Sequence, residues 1–329
     1  MKTLLPLAIV ALQAISNVAY SQTTAAPYPN HPVTLVVPFA PGGGTDIGAR
    51  LIANKLTQKW GQSVVVDNKG GAGGVLGADI VAKAKADGYT LLFGNVGTQS
   101  INPALYKKLP YNFETAFAPV SLVAELPFFL MSSPSFAPKS VKELVAYAKA
   151  NPDKVTYASS GNGGSPHLSA EVFSAMAGVR MTHVPYKGGG PAMNDLMAGH
   201  VNILFASVLE SIGFIQTGKL NALAVTTKAR SSTAPSVPTI AEGGMDIGLA
   251  GYESGSWIGI LAPTGTPQAI INKIAYDVKE VLSHQETKDA FAKQGANPVG
   301  STPAQFKALI DADLKRYTKI IQEKNISID

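Results

Sequence analysis

The feature that most constrains the fold is a unit of strand, glycine-rich turn and helix that recurs along the chain. Short apolar runs rich in β-branched residues predict buried strands, and the apolar residues after each turn recur with helical spacing. Short connections between such units are typical of a parallel, doubly wound sheet, in which the turns lie at the carboxyl ends of strands, where ligands bind. The glycine-rich turns are residues 42–44, 70–74, 161–164 and 188–190.

The first of these turns has the composition of an anion-binding loop. It joins a predicted strand over residues 33–37 to a predicted helix over 47–56, and it contains three successive glycines. Because glycine has no side chain, the N–H groups of the turn can approach a ligand closely. The free N–H groups and the positive dipole end of the following helix also favour an anion. The sequence therefore predicts that this turn holds a negatively charged group.

The chain length and the two series of such units predict two lobes. For 329 residues, two domains are expected more readily than one. Extended stretches over residues 120–131 and 256–263 connect the two series. We therefore predict an α/β protein of two lobes, each a doubly wound, mostly parallel sheet, that close on a ligand between them. The predicted bounds are 28–124 plus 252–329 for lobe 1 and 125–251 for lobe 2, with hinges near 123–128 and 250–257.

Composition excludes several kinds of site and partner. The chain contains no cysteine, so it has no disulfide, thiol nucleophile or zinc–cysteine cluster. Its five histidines lack the spacing of metal ligands. The formal charge of +5 comes from scattered basic residues, which favours a small anionic ligand over nucleic acid. We therefore expect no metal, no cofactor and no nucleic-acid partner, and we expect a monomer.

The first 21 residues have the pattern of a secretory signal peptide. Lys2 gives the positive start, an apolar run follows over residues 4–15, and Ala19 and Ser21 are the small residues that cleavage requires. We predict cleavage before Gln22 and an exported product. An uncleaved anchor is the alternative, and the shortness of the apolar run disfavours it.

Motifs for nucleotide binding and for catalysis do not fit the glycine-rich turns. No turn contains the P-loop pattern, and none has G-x-G-x-x-G directly after its strand. A G-x-S-x-G nucleophile elbow is missing as well. The alternative of an exported serine hydrolase would use Ser160 with His167, the nearest candidate base in sequence. A site rich in glycine and hydroxyl groups is better suited to holding a ligand than to converting it, so we predict no enzyme.

Six short motifs, in order along the mature chain, carry a family resemblance. They are P-F-A-P-G-G-G-T-D at 38–46, N-K-G-G-A-G-G at 68–74, D-G-Y-T-L-L at 87–92, I-N-P-A-L-Y at 101–106, V-P-Y-K-G at 184–188 and W-I-G at 257–259. Together they resemble the Bug family, the substrate-binding proteins of tripartite tricarboxylate (TctC-type) transporters. The resemblance implies a periplasmic, two-lobed Venus flytrap of the type II binding-protein class. It also implies a small carboxylate ligand, held partly through ordered water, and transient contact with membrane transporter subunits.

The predicted ligand-binding site combines turn N–H groups with hydroxyl groups from both lobes. The resemblance places Phe39, Ala40 and Thr45 on one side of the site, and Ser159, Ser160, Lys187, Gly188 and Ser207 on the other. The glycine-rich turns and strand ends add Gly43, Gly44, Thr98, Gly163 and Gly189.

Three charged or titratable residues near these turns have two interpretations each. Asp46 accepts a hydrogen bond from a ligand ammonium or hydroxyl group, or it only places favourable charge at a helix start. Lys187 pairs with a ligand carboxylate or is solvated. His167 contacts ligand or caps its helix. Lys69 stands where the family resemblance leads us to expect an arginine, so a bidentate fork is lost there while the charge is kept.

The sequence leaves the ligand and the output of the protein open. Dicarboxylates, amino acids and aromatic acids all remain candidates, while the scarcity of charge beside the turns disfavours a highly charged ligand such as citrate. The same flytrap could deliver its ligand to a permease or act as a co-receptor for a sensor kinase. We expect transport.

Overall fold

The computed structural model describes residues 28–323 and 326–327 and divides them between two β-sheets. The predicted signal peptide lies outside these residues. The strands are β1 (Val33–Val37), β2 (Val64–Asn68), β3 (Thr90–Asn95), β4 (Phe117–Leu126), β5 (Phe128–Ser132), β6 (Thr156–Ser159), β7 (Thr182–Pro185), β8 (Ile203–Ser207), β9 (Asn221–Val225), β10 (Ser256–Pro263) and β11 (Asn297–Pro298). The helices are α1 (Gly44–Trp60), α2 (Val75–Ala82), α3 (Asn102–Leu105), α4 (Phe113–Ala116), α5 (Val141–Ala150), α6 (Ser165–Ala177), α7 (Gly189–Ala198), α8 (Val208–Gln216), α9 (Ile240–Gly243), α10 (Gln268–Ser283), α11 (Gln285–Lys293) and α12 (Pro303–Glu323).

Each sheet forms the centre of one lobe. Lobe 1 surrounds a six-stranded sheet of order β11-β4-β10-β3-β1-β2, and lobe 2 surrounds a five-stranded sheet of order β7-β6-β8-β5-β9. In both, the strands that precede glycine-rich turns lie beside one another and run parallel. Their carboxyl ends therefore present the turns at one edge of each sheet. The residue bounds that the sequence analysis gave for the lobes remain a prediction.

The sheets are mostly parallel, as predicted, but each also contains antiparallel pairings. β10 pairs antiparallel with both β3 and β4, and β5 pairs antiparallel with both β8 and β9. The reason is connectivity: these strands carry the chain between the lobes, so each enters its sheet from the edge at which the βα units have their turns. The predicted two-lobed α/β class is confirmed.

The predicted strand over residues 120–131 is two strands, because Pro127 interrupts the ladder between β4 and β5. Thr226 connects this crossing to the other one: its Oγ1 accepts from the Phe128 N–H at 3.1 Å and donates to the Ser254 carbonyl at 2.8 Å. The region over 102–119 contains the short helices α3 and α4. The loop after β3 forms a π-helical turn, Gly97–Ile101.

The two lobes pack against each other through apolar side chains. Ala49 and Ile52 of α1 belong to the same buried cluster as Leu209 and Ile212 of α8. Gly48 permits this approach, because a Cβ there would lie 2.3 Å from Ile258 Cδ1 and 3.4 Å from Leu209 Cδ1. The structure is therefore a closed form, with α1 of lobe 1 lying on α8 of lobe 2.

Candidate functional site

A narrow cavity lies between the lobes at the carboxyl ends of the strands. Its volume is about 30 Å³, close to the volume that one water molecule occupies in the liquid. Both lobes contribute to its walls. The lining residues are Phe39, Gly43, Gly44, Thr45, Asn95, Leu126, Phe128, Ser160, Ser165, Pro166, Gly189, Ser207, Glu210 and Ser256.

The first glycine-rich turn brings the start of α1 to the cavity wall. Gly43 is the N-cap of α1 and Gly44 its first residue. A Cβ on Gly44 would lie only 1.8 Å from Ser207 Oγ in lobe 2, so a side chain at this position would force the lobes apart. The glycine is therefore required for close approach of the lobes.

The N–H groups of this turn are engaged by carboxylates of the protein itself. The Gly42 N–H donates to Asp46 Oδ2 at 2.9 Å, and the Gly44 N–H donates to Glu210 Oε2 at 3.2 Å. The sequence predicted that these groups would hold an anion, and in the closed structure the anionic groups beside them are Asp46 and Glu210.

The sequence analysis missed seven of the residues that line the cavity, and Glu210 is the one titratable residue among them. It lies in the first turn of α8 and joins the lobes, because Oε2 accepts from Gly44 while Oε1 accepts from the Ser207 N–H at 2.8 Å. Burial raises the pKa of Glu210 to about 7, against the opposing effect of these two N–H donors. The signal was present in the sequence: Ser207-x-x-Glu210 is a capping-box pattern directly after a strand.

Asp46 is held within lobe 1. Its carboxylate accepts from Arg50 Nε at 3.0 Å and from Asn68 Nδ2 at 3.0 Å, in addition to the bond from Gly42. Burial acts to raise the pKa of Asp46, but the hydrogen bonds from Arg50, Gly42 and Asn68 outweigh it and hold that pKa below its ordinary value. The geometry agrees with the interpretation of Asp46 as a residue that orders the start of α1.

A second, larger space of about 700 Å³ lies at the mouth of the cleft. Lys187 lines it, and the Lys187 carbonyl accepts from the Ala40 N–H of lobe 1 at 2.9 Å. The Tyr106 hydroxyl donates to the Asn162 carbonyl across the same mouth at 3.0 Å. Hydrogen bonds to main-chain carbonyls therefore close the cleft outside the cavity.

The predicted site residues fall into three groups. Those that line the central cavity are Phe39, Gly43, Gly44, Thr45, Ser160, Gly189 and Ser207. Lys187 lines the mouth. Those that line neither space are Ala40, Asp46, Thr98, Ser159, Gly163, His167 and Gly188. Thr98 lies behind the cavity wall, where its N–H donates to Asn95 Oδ1 at 3.1 Å. This bond orients the side-chain amide of Asn95, whose Nδ2 donates to Thr45 Oγ1.

His167 lies in a buried aromatic stack behind the cavity. Its Nδ1 accepts from the Gly163 N–H at 3.3 Å, and its ring stacks on that of His183 with centroids 4.2 Å apart. His183 Nε2 lies 2.6 Å from Ser159 Oγ. Among the described residues, the hydrogen bonds pair His167 with the main chain and not with Ser160, so the pair proposed for a hydrolase is not formed.

This histidine pair predicts a loss of stability in mild acid. Burial lowers the pKa of His167 to about 3, with a further lowering from His183, and burial lowers the pKa of His183 to about 4. In the unfolded chain the histidines have a pKa near 6.5, so they take up protons there at a higher pH than in the folded protein. The stability that is present above about pH 6.5 is therefore lost as the pH falls. At pH 5 each histidine is expected to cost about 2 kcal/mol relative to pH 7.

Denaturant titration of His167→Asn tests this expectation, because asparagine keeps an acceptor for the Gly163 N–H. The destabilisation that the variant suffers at pH 7 should shrink by about 2 kcal/mol at pH 5. The exposed His284 is the matched control, and His284→Gln should keep the pH profile of the wild type. Parallel profiles for the wild type and His167→Asn would contradict a neutral, buried His167.

Comparison with known proteins identifies the family. The sequence model of the tripartite tricarboxylate transporter family receptor, TctC, matches residues 48–326. This chain belongs to that family. It is 36% identical to Protein BugT of Bordetella pertussis over 96% of both chains. It is also 36% identical to the UPF0065 protein of the tcbD–tcbE intergenic region of Pseudomonas sp. strain P51, over 96% of this chain and 95% of that protein.

Solved structures of the same type share the two-lobed fold. The periplasmic binding protein BugD is 35% identical, with a TM-score of 0.86 over 91% of this chain and 99% of that one. Rpa4515 of R. palustris, solved with adipate, is 37% identical with a TM-score of 0.87 over 91% and 99%. MatC of Rhodopseudomonas palustris, solved with bound malate, is 33% identical with a TM-score of 0.84 over 89% and 100%.

Family membership confirms three of the expectations. The resemblance to the Bug and TctC proteins is confirmed, the fold is that of two-lobed periplasmic binding proteins, and the protein is a periplasmic solute-binding protein, not an enzyme. The serine hydrolase alternative is therefore wrong.

Within residues 28–323 and 326–327, no helix is long and apolar enough to cross a membrane. The same residues contain no cluster of three or more His, Asp or Glu side chains suited to a metal ion.

Proposed function

We propose that this TctC-family protein captures a small dicarboxylate between its lobes and delivers it to a tripartite tricarboxylate transporter. The observation that carries the proposal is the cavity at the carboxyl ends of the strands, with the start of α1 on one side and that of α8 on the other. The adipate and malate present in two similar structures support a dicarboxylate. Hydroxyl and amide groups of Thr45, Asn95 and Ser160 line the cavity and suit a ligand of this chemistry.

Entry of such a ligand requires the lobes to move apart. The lobes meet around the central cavity, so a dicarboxylate can reach it only after they separate. We propose that the lobes rotate about the two crossings, near residues 123–128 and 250–257, where the hydrogen bonds of Thr226 lie. The contacts at the mouth, from Lys187 to Ala40 and from Tyr106 to Asn162, would break and form again.

Thermal unfolding with and without ligand tests the proposed function. Any compound that binds only the folded protein raises its stability, by about 2.7 kcal/mol at 100 times Kd. For a chain of this size, adipate or malate at that excess is expected to raise Tm by about 5 °C. The tricarboxylate citrate serves as the control and is expected to give a smaller shift. If no mono- or dicarboxylate in a broad panel raises Tm, the proposed function is wrong.

The remaining parts of the proposal are an export signal and a transporter. We propose that residues 1–21 are removed on export, so that the periplasmic protein begins at Gln22. Mass measurement of the protein recovered from the periplasm tests this start.

Cross-linking in membranes, with and without ligand, tests the contact with transporter subunits. Cross-linking to a sensor kinase instead would favour the co-receptor.

A further inference from the structure

Glu210 places an ionisable carboxyl group where the proposed dicarboxylate must bind. It is the only ionisable residue among those that line the central cavity. Its Oε2 lies 3.2 Å from the Gly44 nitrogen of lobe 1, and its Oε1 lies 2.8 Å from the Ser207 nitrogen of lobe 2. The N–H groups that would attract a ligand carboxylate at the starts of α1 and α8 therefore already face a carboxyl group of the protein.

Within the part of the chain that the structure describes, the elements packed around this carboxyl group offer no cation to pair with it. β5 and β8, which pack against α8, contain no titratable residue. On α1, which lies across the cleft, Arg50 and Asp46 pair with each other at 2.9 Å. Lys55 and Lys59, further along α1, pair with Glu286 and Glu280 at 2.7 and 2.6 Å.

The loop before α7 and the start of α6 complete the surroundings. Gly189 contacts the carboxyl group directly, since a Cβ there would lie 2.0 Å from Glu210 Oε2. Lys187, two residues earlier, lines the mouth of the cleft and not the cavity. His167 of α6 is neutral at physiological pH, because burial lowers its pKa to about 3. Glu210 thus meets hydrogen-bond donors but no opposite charge.

We propose that Glu210 determines ligand specificity, because the site binds a carboxylate ligand only when Glu210 itself is protonated. Binding is therefore coupled to the uptake of one proton. This inference rests on the proposed function. Two carboxylates cannot share so small a space without strong repulsion, whereas a carboxylic acid can donate an O–H···O⁻ hydrogen bond to the ligand. The raised pKa of Glu210, to about 7, places this proton exchange within the physiological range. The proton comes from solvent and returns to it when the ligand leaves.

Calorimetry with adipate and malate tests the coupling in the full-length mature protein. Titrations in buffers of different ionisation enthalpy count the protons exchanged on binding. Because free Glu210 titrates near pH 7, uptake is expected to be about half a proton at pH 7 and to approach one proton at pH 8. The affinity should fall about tenfold for each pH unit above about 7, since the protonated fraction falls by that factor.

Glu210→Gln separates this role from a structural one. Glutamine has the shape of the protonated carboxyl group, so the variant is expected to bind adipate with no proton uptake and with an affinity that does not change between about pH 6.5 and 8.5. The matched control is Glu143→Gln, which changes an exposed glutamate at the corresponding position of α5, three residues after its N-cap Ser140. Glu143→Gln should keep the proton uptake and the pH dependence of the wild type.

The outcomes of this experiment are distinguishable. Adipate binding without proton uptake, or an unchanged pH dependence in Glu210→Gln, would overturn the role of Glu210 and leave the proposed function standing. Aspartate, which replaces the hydroxyl of malate by an ammonium group, supplies the opposite case. If it binds much more tightly than malate and releases a proton, Glu210 is an ionised partner for ammonium ligands and the inference is wrong. If wild-type protein binds no carboxylate, the proposed function falls and this inference falls with it.

Discussion

Gly44→Leu is expected to abolish ligand binding, with Kd raised more than about 100-fold, while the fold stays intact. The first residue of α1 faces Ser207 so closely that even a Cβ would lie 1.8 Å from its Oγ. A leucine side chain would fill the cavity and hold the lobes apart, whether or not a ligand is present. The backbone of Gly44 is not in the left-handed region, so leucine strains nothing within lobe 1.

The control for this variant is Gly213→Leu. Gly213 lies on α8, and a Cβ there meets no atom within 4 Å. Both variants add the same side chain to a helical glycine, and only the first places it between the lobes. Calorimetry should give wild-type affinity for Gly213→Leu, and circular dichroism should give native spectra for both. Binding of adipate by Gly44→Leu with unchanged affinity would move the site away from this cavity.

Much of the fold could be predicted because local pattern and topology agree in the βα units. The β-branched strand and the glycine-rich turn that begin the chain's first unit, for example, are both found, and only the bounds of the helix differ, since it runs over Gly44–Trp60 instead of 47–56. The direction of the crossing strands could not be predicted in this way. A run such as residues 128–131 is apolar at every position, which indicates that the strand is buried but not in which direction it runs.

Part of the site could be predicted, because the composition of the turns identifies residues of the cavity wall. Glycines and hydroxyl groups next to a strand end, such as Gly44, Thr45 and Ser207, identify the wall of the cavity. Which N–H group faces which acceptor depends on how the lobes approach, and no local pattern records that. Glu210 has an ordinary explanation within its own helix as a capping residue, and only the packing of α8 on α1 brings it to Gly44.

The motif Trp257-Ile258-Gly259 has a packing role that only the three-dimensional structure shows. In the sequence it carried a resemblance but no physical role. In the structure, Gly259 of β10 leaves room for Phe306 of α12, because a Cβ would lie 2.3 Å from the Phe306 ring. The Trp257 ring packs edge-on against Phe306 at 5.1 Å, and its Nε1 donates to Asp313 at 2.8 Å. Trp257 and Gly259 therefore dock α12 onto the sheet of lobe 1.

Phe306→Ala is accordingly expected to lower the free energy of unfolding by about 3–5 kcal/mol, the usual cost of removing a fully buried phenylalanine. Phe306 has no exposed surface, and its ring fills the space that Gly259 leaves free. Tyr276 is the matched control, an aromatic residue of α10 that is 66% exposed, and Tyr276→Ala should change stability by less than about 0.5 kcal/mol. Denaturant unfolding measures both.

Ligand binding distinguishes a local from a general effect of Phe306→Ala. Phe306 lines neither the central cavity nor the mouth of the cleft. At a temperature where the variant is still folded, its affinity for adipate should therefore stay within about twofold of the wild type. A large loss of affinity in a folded Phe306→Ala would mean that α12, although remote from the ligand, controls the approach of the lobes. A stability loss below about 1 kcal/mol would show that α12 is not anchored by this contact.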